Sequence, residues 1–133
     1  MKTLKLFALI GSIALLFSSC ASILSTNKYD VAIESNVKNA EVEIQNKKGK
    51  TVYKGNTPCT VTLKSSQGFF NPAYYTIFAE KDSVLVTDNI KAGIDPLYFG
   101  NFLCGGVLGA ILIDPATGCM YKIYEDKIYL IIK

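Results

Sequence analysis

The stretch AEVEIQN, residues 40–46, followed by NKKGK at 46–50, decides the fold class of this chain. Val42 and Ile44 alternate with polar neighbours, which is the period of a strand with one buried face. Gly49 can supply the positive φ that a tight turn between two strands needs. The stretch therefore predicts a β-hairpin whose second strand runs through Val52.

The same alternation continues on both sides of this hairpin. Val31 and Ile33 precede it, Val61 and Leu63 follow it, and GNTP at 55–58 breaks the connection between strands. Further strands are predicted at 74–80, 83–88 and 127–132. Six or seven short strands separated by turn signals favour a mainly β chain folded as a small antiparallel β-sandwich.

The segments IESNVKNAEVEI (33–44) and KGNTPCTVTL (54–63) resemble a PEGA-type domain, an Ig-like β-sandwich module of exported proteins. The matching positions are Ser35, Ala40, Val42, Ile44, Gly55, Thr57 and Pro58. Val37 and Asn39 stand where that family usually has Pro and Gly, although Asn39 can adopt a left-handed turn conformation. The resemblance implies a fold and an interaction role, and it brings no catalytic residues.

The N-terminus has the layout of a signal peptide. Lys2 and Lys5 precede an apolar run over 6–17, and LLFSSCAS at 15–22 ends that run in small residues and Cys20. This ending resembles the lipobox of bacterial lipoproteins. It implies cleavage before Cys20, a diacylglycerol on its thiol and a further acyl chain such as palmitate. The alternatives are a secretory signal cut near Ala21 and an uncleaved anchor.

Lipidation would divide the chain into a signal peptide (1–19), a tether (20–28) and one domain (29–133) that includes the glycine-rich segment 95–118. Two or three acyl chains would hold it in a membrane, since each buried CH₂ contributes about 0.8 kcal/mol. Ala21 stands where retention in the inner membrane of Gram-negative bacteria prefers Asp. The resemblance therefore implies the outer membrane, and we expect an envelope protein as partner.

Composition argues against nucleic acid and against catalysis. Without residues 1–19 the chain keeps 12 Lys against 11 Asp and Glu, and it contains no Arg for bidentate contacts to phosphates and bases. It also contains no His, which removes Ser-His and Cys-His nucleophile pairs. No phosphate loop, zinc spacing or calcium loop occurs. We expect no enzyme, no metal and no cofactor.

Three cysteines follow Cys20, so at most one intramolecular disulfide can join two of them. Cys104 and Cys119 are the favoured candidate pair, because a short glycine-containing segment links them. Closing such a loop would contribute about 3 kcal/mol. The alternative is that Cys59, Cys104 and Cys119 are three small buried apolar side chains.

Aromatic residues crowd the stretch GFFNPAYYTIF, residues 68–78. Phe69, Phe70, Tyr74 and Tyr75 could stack on sugars or bases as a candidate binding site. In the favoured alternative, Phe69 and Phe70 cap one end of the core, and Tyr75 fills one face of a strand with Ile77 and Ala79.

Residues 95–118, DPLYFGNFLCGGVLGAILIDPATG, are the part least typical of a sandwich. Asp95 and Pro96 are a helix-start signal, and 97–113 contains no charged residue. The favoured prediction is one or two short helices packed on the sandwich, with DPATG as a turn. Membrane insertion and helix-mediated oligomerisation are the alternatives, since Gly105 and Gly109 allow close approach.

This segment also resembles a glycine-rich tail that follows PEGA-like sheets in some small bacterial lipoproteins. The residues that carry the likeness are Gly100, Asn101, Gly105, Gly106, Asp114, Thr117 and Gly118.

The sequence leaves two main functions open: a lipid-anchored envelope protein with a structural or protein-interaction role, and a lipoprotein that binds a lipid or glycan through 68–78 and 95–118. A membrane-perturbing role of the apolar run is a third.

Overall fold

The computed structural model describes residues 26–108, 111–112 and 114–133, without the side chains of 101–105 and 108. Within these residues the chain forms nine strands and two helices. The strands are β1 (Lys28–Ser35), β2 (Glu41–Asn46), β3 (Thr51–Asn56), β4 (Cys59–Lys64), β5 (Tyr74–Lys81), β6 (Val84–Lys91), β7 (Gly93–Ile94), β8 (Tyr121–Lys122) and β9 (Lys127–Leu130). The helices are α1 (Leu97–Leu108) and α2 (Asp114–Thr117).

The strands form a three-stranded sheet in the order β4-β1-β9, a four-stranded sheet in the order β3-β2-β5-β6, and a small β7-β8 pair. This arrangement confirms the predicted mainly β, sandwich-like fold with short helices inserted before the last strand. All strand pairs are antiparallel except β1 with β9, which run parallel with Ile33 opposite Ile128. Sequence alternation could not indicate that direction.

The core lies between the inner faces of the two larger sheets. The alternating residues of the opening hairpin face it, and Val42 and Ile44 are fully buried. Their neighbours across the sheet, Ala79 and Ile77, are also fully buried. The remaining large buried side chains on the strands of these two sheets are Val31, Ile33, Val61, Leu63, Tyr75, Ile90, Ile128 and Leu130.

Residues with positive φ close three of the turns. Gly49 has φ 73 between β2 and β3, as predicted, and Asn39 has φ 58 between β1 and β2. Asp82 and Ser83 have φ 50 and 69, the two successive positive values of a type I′ hairpin turn. The predicted strand 83–88 therefore begins one residue later than expected, at Val84, and extends to Lys91.

In the three-stranded sheet, the start of β1 and the end of β9 differ slightly from the prediction. β1 begins at Lys28, so the predicted tether 20–28 overlaps the first strand by one residue. β9 ends at Leu130, before the predicted end at 132. The side-chain amide of Asn36 continues the pairing beyond that point, since it accepts from the Ile132 N–H at 2.8 Å and donates to the Ile132 carbonyl at 2.9 Å.

Helix α1 begins as its sequence predicts. The Asp95 carboxylate accepts from the Leu97 N–H at 2.9 Å, which satisfies one of the free donors at the helix start. The helical conformation breaks at Gly106, where φ is 65. Tyr98 packs against the core, whereas Leu97 and Phe99 are exposed.

The turn predicted at DPATG is wrong for its first four residues, because Asp114–Thr117 forms the short helix α2. Its Pro115 is buried, and Gly118 follows with φ 79, so the turn begins there. None of the helices in the described ranges is long and apolar enough to cross a membrane.

Candidate functional site

The strand directions bring many of the lysines together at one end of the sandwich. Lys28 lies opposite Lys64 at the start of β1, and Tyr74 lies opposite Lys91 at the start of β5. The β2–β3 turn lies at the same end of the sandwich, since Asn46, the last residue of β2, pairs with Tyr75 near the start of β5. We call this the basic end. Its exposed lysines are Lys28, Lys47, Lys48, Lys50, Lys64 and Lys91.

These lysines face little opposing charge. The two ion pairs found among the described residues lie elsewhere: Lys54 with Glu41 at 2.7 Å and Lys127 with Glu34 at 2.9 Å. Asp30 is two residues further along β1 and accepts a hydrogen bond from a threonine hydroxyl. The six exposed lysines of the basic end therefore outnumber its carboxylates, the exposed Asp30 on β1 and the buried Asp114 on α2.

The β4–β5 loop, residues 65–73, projects from the basic end as a small closed hairpin. At its base the Ala73 N–H donates to the Ser65 carbonyl at 2.9 Å, and at its tip the Gln67 N–H donates to the Asn71 carbonyl at 2.9 Å. The Asn71 N–H closes the tip on the Gly68 carbonyl at 3.1 Å. The backbone of the loop is thus held by its own hydrogen bonds.

Phe69 and Phe70 form the tip of that loop, and we call them the aromatic tip. Their rings meet edge to face at 4.8 Å between centroids, and 59% and 48% of their surfaces are exposed. The expectation that they cap the core is therefore wrong. The tip's hydrogen bonds turn both rings outward, and Phe70 has a φ of 50, which is rare for a bulky residue.

Tyr74 and Tyr75 lie on opposite faces of β5. Tyr75 is buried with Ile77 and Ala79, so it belongs to the core as the alternative predicted and is no part of an accessible site. Its hydroxyl donates to the Lys64 carbonyl at 2.9 Å, and burial raises the pKa of its phenol. Tyr74 faces outward.

The outward face beside Tyr74 holds a cavity of about 470 Å³ at the basic end. Its polar lining includes Gln45, Thr76, Lys47 and Lys91. Of the four aromatic residues predicted for binding, Tyr74 is therefore the one that lines this cavity. The β4–β5 loop contributes Pro72 and Ala73 to the lining, whereas the aromatic tip of the same loop lies outside it.

The described chain enters the domain at the basic end. The Asn27 side-chain amide donates to the Thr117 carbonyl at 2.8 Å, and the Asn27 carbonyl accepts from the Ser65 N–H at 2.9 Å. The Ser65 hydroxyl in turn donates to the Gly118 carbonyl at 3.3 Å. Entry point, β4–β5 loop and α2 are thus joined in one hydrogen-bonded cluster.

The turn residues of the PEGA-like motif lie at the opposite end, whereas Val42 and Ile44 lie within β2. Thr57 is buried, and its hydroxyl lies 2.7 Å from the Ser35 hydroxyl and accepts from the Ala40 N–H at 3.2 Å. This contact ties the β1–β2 turn to the β3–β4 connection. The Ser35 hydroxyl also donates to the Val37 carbonyl, so both hydroxyls take part in the hydrogen bonding that holds these turns.

Only part of the cysteine predictions can be compared with the structure, because not all of the cysteines are described. Cys59 is a half-buried thiol outside any disulfide, and the Tyr53 hydroxyl hydrogen-bonds to it, which raises the pKa of the Tyr53 phenol. Cys20 and the side chain of Cys104 lie outside the described residues. The lipid attachment at Cys20 and the Cys104–Cys119 pairing therefore stay predictions.

Comparison with protein families, curated proteins and solved structures finds no match to this chain. Across residues 26–133 as far as they are described, no group of three His, Cys, Asp or Glu side chains could hold a metal ion. The candidate site therefore rests on the geometry of the basic end and of the strand edges.

Sequence reasoning missed the basic end because it considered each lysine only within its own segment. NKKGK was interpreted as a turn, and Lys28, Lys64 and Lys91 lie far apart in the chain. The available signal was the direction of the strands, since consecutive antiparallel strands bring alternate turns to the same end. Following the alternating strand directions from β1 to β6 would have placed the lysines at the same end as the aromatic tip.

Proposed function

We propose that this chain is a lipid-anchored protein of the cell envelope with a protein-interaction role and no catalytic one. The lipobox-like LLFSSC at 15–20 supports acylation of Cys20, and Ala21 supports the outer membrane. The absence of His from the sequence supports a non-catalytic role. The domain would then be a β module held close to a bilayer.

The open edge of β6 is the observation that carries the interaction role. β6 is eight residues long, and within the described chain its only strand neighbour is β5. Leu85 is 59% exposed on it, and Val84 is 36% exposed. An unpaired edge of this length can accept a strand from another protein, with backbone hydrogen bonds for affinity and side-chain contacts for specificity.

A photo-crosslinking residue tests this edge in the full-length protein in its native cells. Placed at Leu85, it should capture one partner protein, and placed at Thr60, exposed on β4, it should not. Leu85→Lys should weaken recovery of that partner, whereas Thr60→Lys should leave it unchanged. Equal capture from both positions, or none from Leu85, would contradict an interaction through β6.

The anchor is tested by the mass of the mature N-terminal peptide. We expect a chain that begins at Cys20 and carries acyl mass on its sulfur and amino group. An unmodified peptide that begins near Ala21 would instead show an ordinary secretory signal, and the envelope anchor would have to be abandoned.

The cavity beside Tyr74 favours a second candidate function, binding of a small glycan or lipid head group. An aromatic ring among amide, hydroxyl and lysine side chains offers both stacking and polar contacts. Mass spectrometry of the native protein should then show a co-purifying ligand. Tyr74→Ala should release it, and Tyr129→Ala, exposed on β9, should retain it.

A further inference from the structure

We propose that the basic end is a docking face for an anionic lipid surface, with the aromatic tip entering the membrane interface and the surrounding lysines contacting lipid phosphates. This inference rests on the proposed lipid anchor. It adds the orientation of the domain and the chemistry of the lipid that it contacts.

The length of chain between the anchor and the domain supports this orientation. Only residues 21–25 separate Cys20 from Thr26, the first described residue. An extended chain spans at most about 3.3–3.6 Å per residue, so this connection reaches roughly 20 Å. The chain enters at the basic end, which therefore stays within that distance of an acylated Cys20.

The opposite end of the domain lies further from the point where the chain enters by the length of β1. Its eight residues rise about 3.3 Å each, which adds roughly 26 Å. The Ser35–Thr57 contact and the Asp82–Ser83 turn would therefore project away from the bilayer. Of the two ends, the basic end is the one next to the connection to Cys20, which favours it as the face that contacts lipid.

Charge at the basic end suits an anionic surface. Its six lysines are exposed, and the ion pairs found among the described residues lie on other parts of the strands. A polybasic surface is attracted to anionic lipids within a Debye length, about 8 Å at physiological salt. The roughly 20 Å reach of the connection allows that approach.

The aromatic tip supplies the apolar part of the contact. Phe69 and Phe70 are exposed on a loop closed by its own backbone hydrogen bonds, so the backbone that carries their rings is already ordered. Phe70 holds a φ of 50, a conformation that a bulky residue adopts at some cost. Apolar rings beside lysines match an interface between acyl chains and charged head groups.

A single-tryptophan reporter tests the docking, because the natural sequence contains no Trp. Phe70→Trp and the control Leu85→Trp are made in the full mature chain and placed in vesicles of phosphatidylcholine with phosphatidylglycerol. We expect brominated lipids to quench Phe70→Trp fluorescence at least about twofold more than that of Leu85→Trp. Equal quenching of the two variants would overturn the proposal.

The role of charge is tested in the Phe70→Trp background. Lys47→Gln with Lys48→Gln should reduce the quenching in anionic vesicles, and so should vesicles of phosphatidylcholine alone. Lys38→Gln with Lys133→Gln, both exposed and away from the basic end, is the matched control and should change nothing. Quenching that ignores lipid charge and the two basic-end substitutions would overturn the anionic-lipid assignment.

The mass of the N-terminal peptide, measured on the same samples, separates the two proposals. If Cys20 is acylated and Phe70→Trp is not quenched, the docking face is wrong and the anchor stands. If Cys20 carries no acyl chain, the anchor is wrong, and the protein is added to vesicles from solution. Quenching of Phe70→Trp then supports docking, and its absence overturns it.

Discussion

At the scale of single residues, Thr57 shows how a small polar side chain can hold two connections of a sandwich together. Its hydroxyl is buried, lies 2.7 Å from that of Ser35, and accepts from the Ala40 N–H. Removing it leaves a buried N–H without its side-chain acceptor, which costs far more than the loss of an exposed hydrogen bond.

Thr57→Val should therefore lower the free energy of unfolding by about 1–3 kcal/mol, as measured by urea denaturation. Thr60→Val, on the exposed face of β4, is the matched control and should stay within about 0.5 kcal/mol of the natural protein. A loss of the same size in both variants would show that the buried hydroxyl has no special role.

Ionisation of the buried Tyr75 phenol should lower the stability of the protein at alkaline pH. Burial raises the pKa of its phenol above the ordinary 10.0. The unfolded chain therefore loses this proton first, so the contribution is complete below about pH 10 and is lost as the pH rises towards the folded pKa. Burial raises the pKa of Tyr29 and Tyr121 as well, so the alkaline loss is shared.

Tyr75→Phe removes both the titration and the hydrogen bond to the Lys64 carbonyl. We expect a loss of about 1 kcal/mol at pH 7 and a shallower fall in stability above pH 10, measured as thermal midpoints across the pH range. Tyr129→Phe, at an exposed position, should follow the natural protein throughout. An unchanged alkaline slope in Tyr75→Phe would refute the link.

At the scale of elements, the turns show where sequence and backbone disagree. Ser83 and Asp82 hold positive φ in the β5–β6 turn without being glycine, whereas Gly49 meets the same need between β2 and β3 with open space around it. An L-residue in the left-handed region costs about 1 kcal/mol or more relative to glycine.

Ser83→Gly should accordingly raise the free energy of unfolding by about 0.5–1 kcal/mol, and Gly49→Ala should lower it by a similar amount. A chemical denaturation series on both variants measures the two effects. A stabilising Gly49→Ala would mean that the backbone at this turn is not strained by a side chain.

The elements that the sequence predicted well are those with one buried face. Val42 and Ile44, or Val61 and Leu63, alternate because one side of the strand packs on the core. The two-residue strands β7 and β8 carry too few positions to show a period. Helix α2 begins at an Asp-Pro pair that suits both a turn and a first helical turn, so tertiary packing of Pro115 decided the outcome.

The candidate site was predicted less completely than the fold. Phe69 and Phe70 are as apolar as any core residue, yet they lie exposed at the tip of a loop closed by backbone hydrogen bonds. Tyr74 and Tyr75 are adjacent and of one type, and the register of β5 alone decides which is buried. Such placements depend on partners distant in sequence.

At the scale of the whole molecule, the domain has one basic end and one end where β1, β3 and β5 finish. Docking of the basic end would shield the Lys47–Lys48 turn and leave Lys38 open to solvent. We expect trypsin to cut the acylated protein more slowly after Lys47 and Lys48 in phosphatidylglycerol vesicles than in detergent. Cutting after Lys38 serves as the internal control, and a uniform change at all three sites would contradict the orientation.

The parallel pairing of β9 with β1 joins residues that are distant in the chain, since Asn36 and Ile132 bond across 96 positions. The three-stranded sheet therefore lacks one side until β9, residues Lys127–Leu130, has been synthesised. Until then Ile33 lacks its neighbour Ile128. This contact forms late because it joins residues that are distant in the chain. If the chain is exported, as proposed above, β9 would complete the sheet only after the strands that precede it have crossed the membrane.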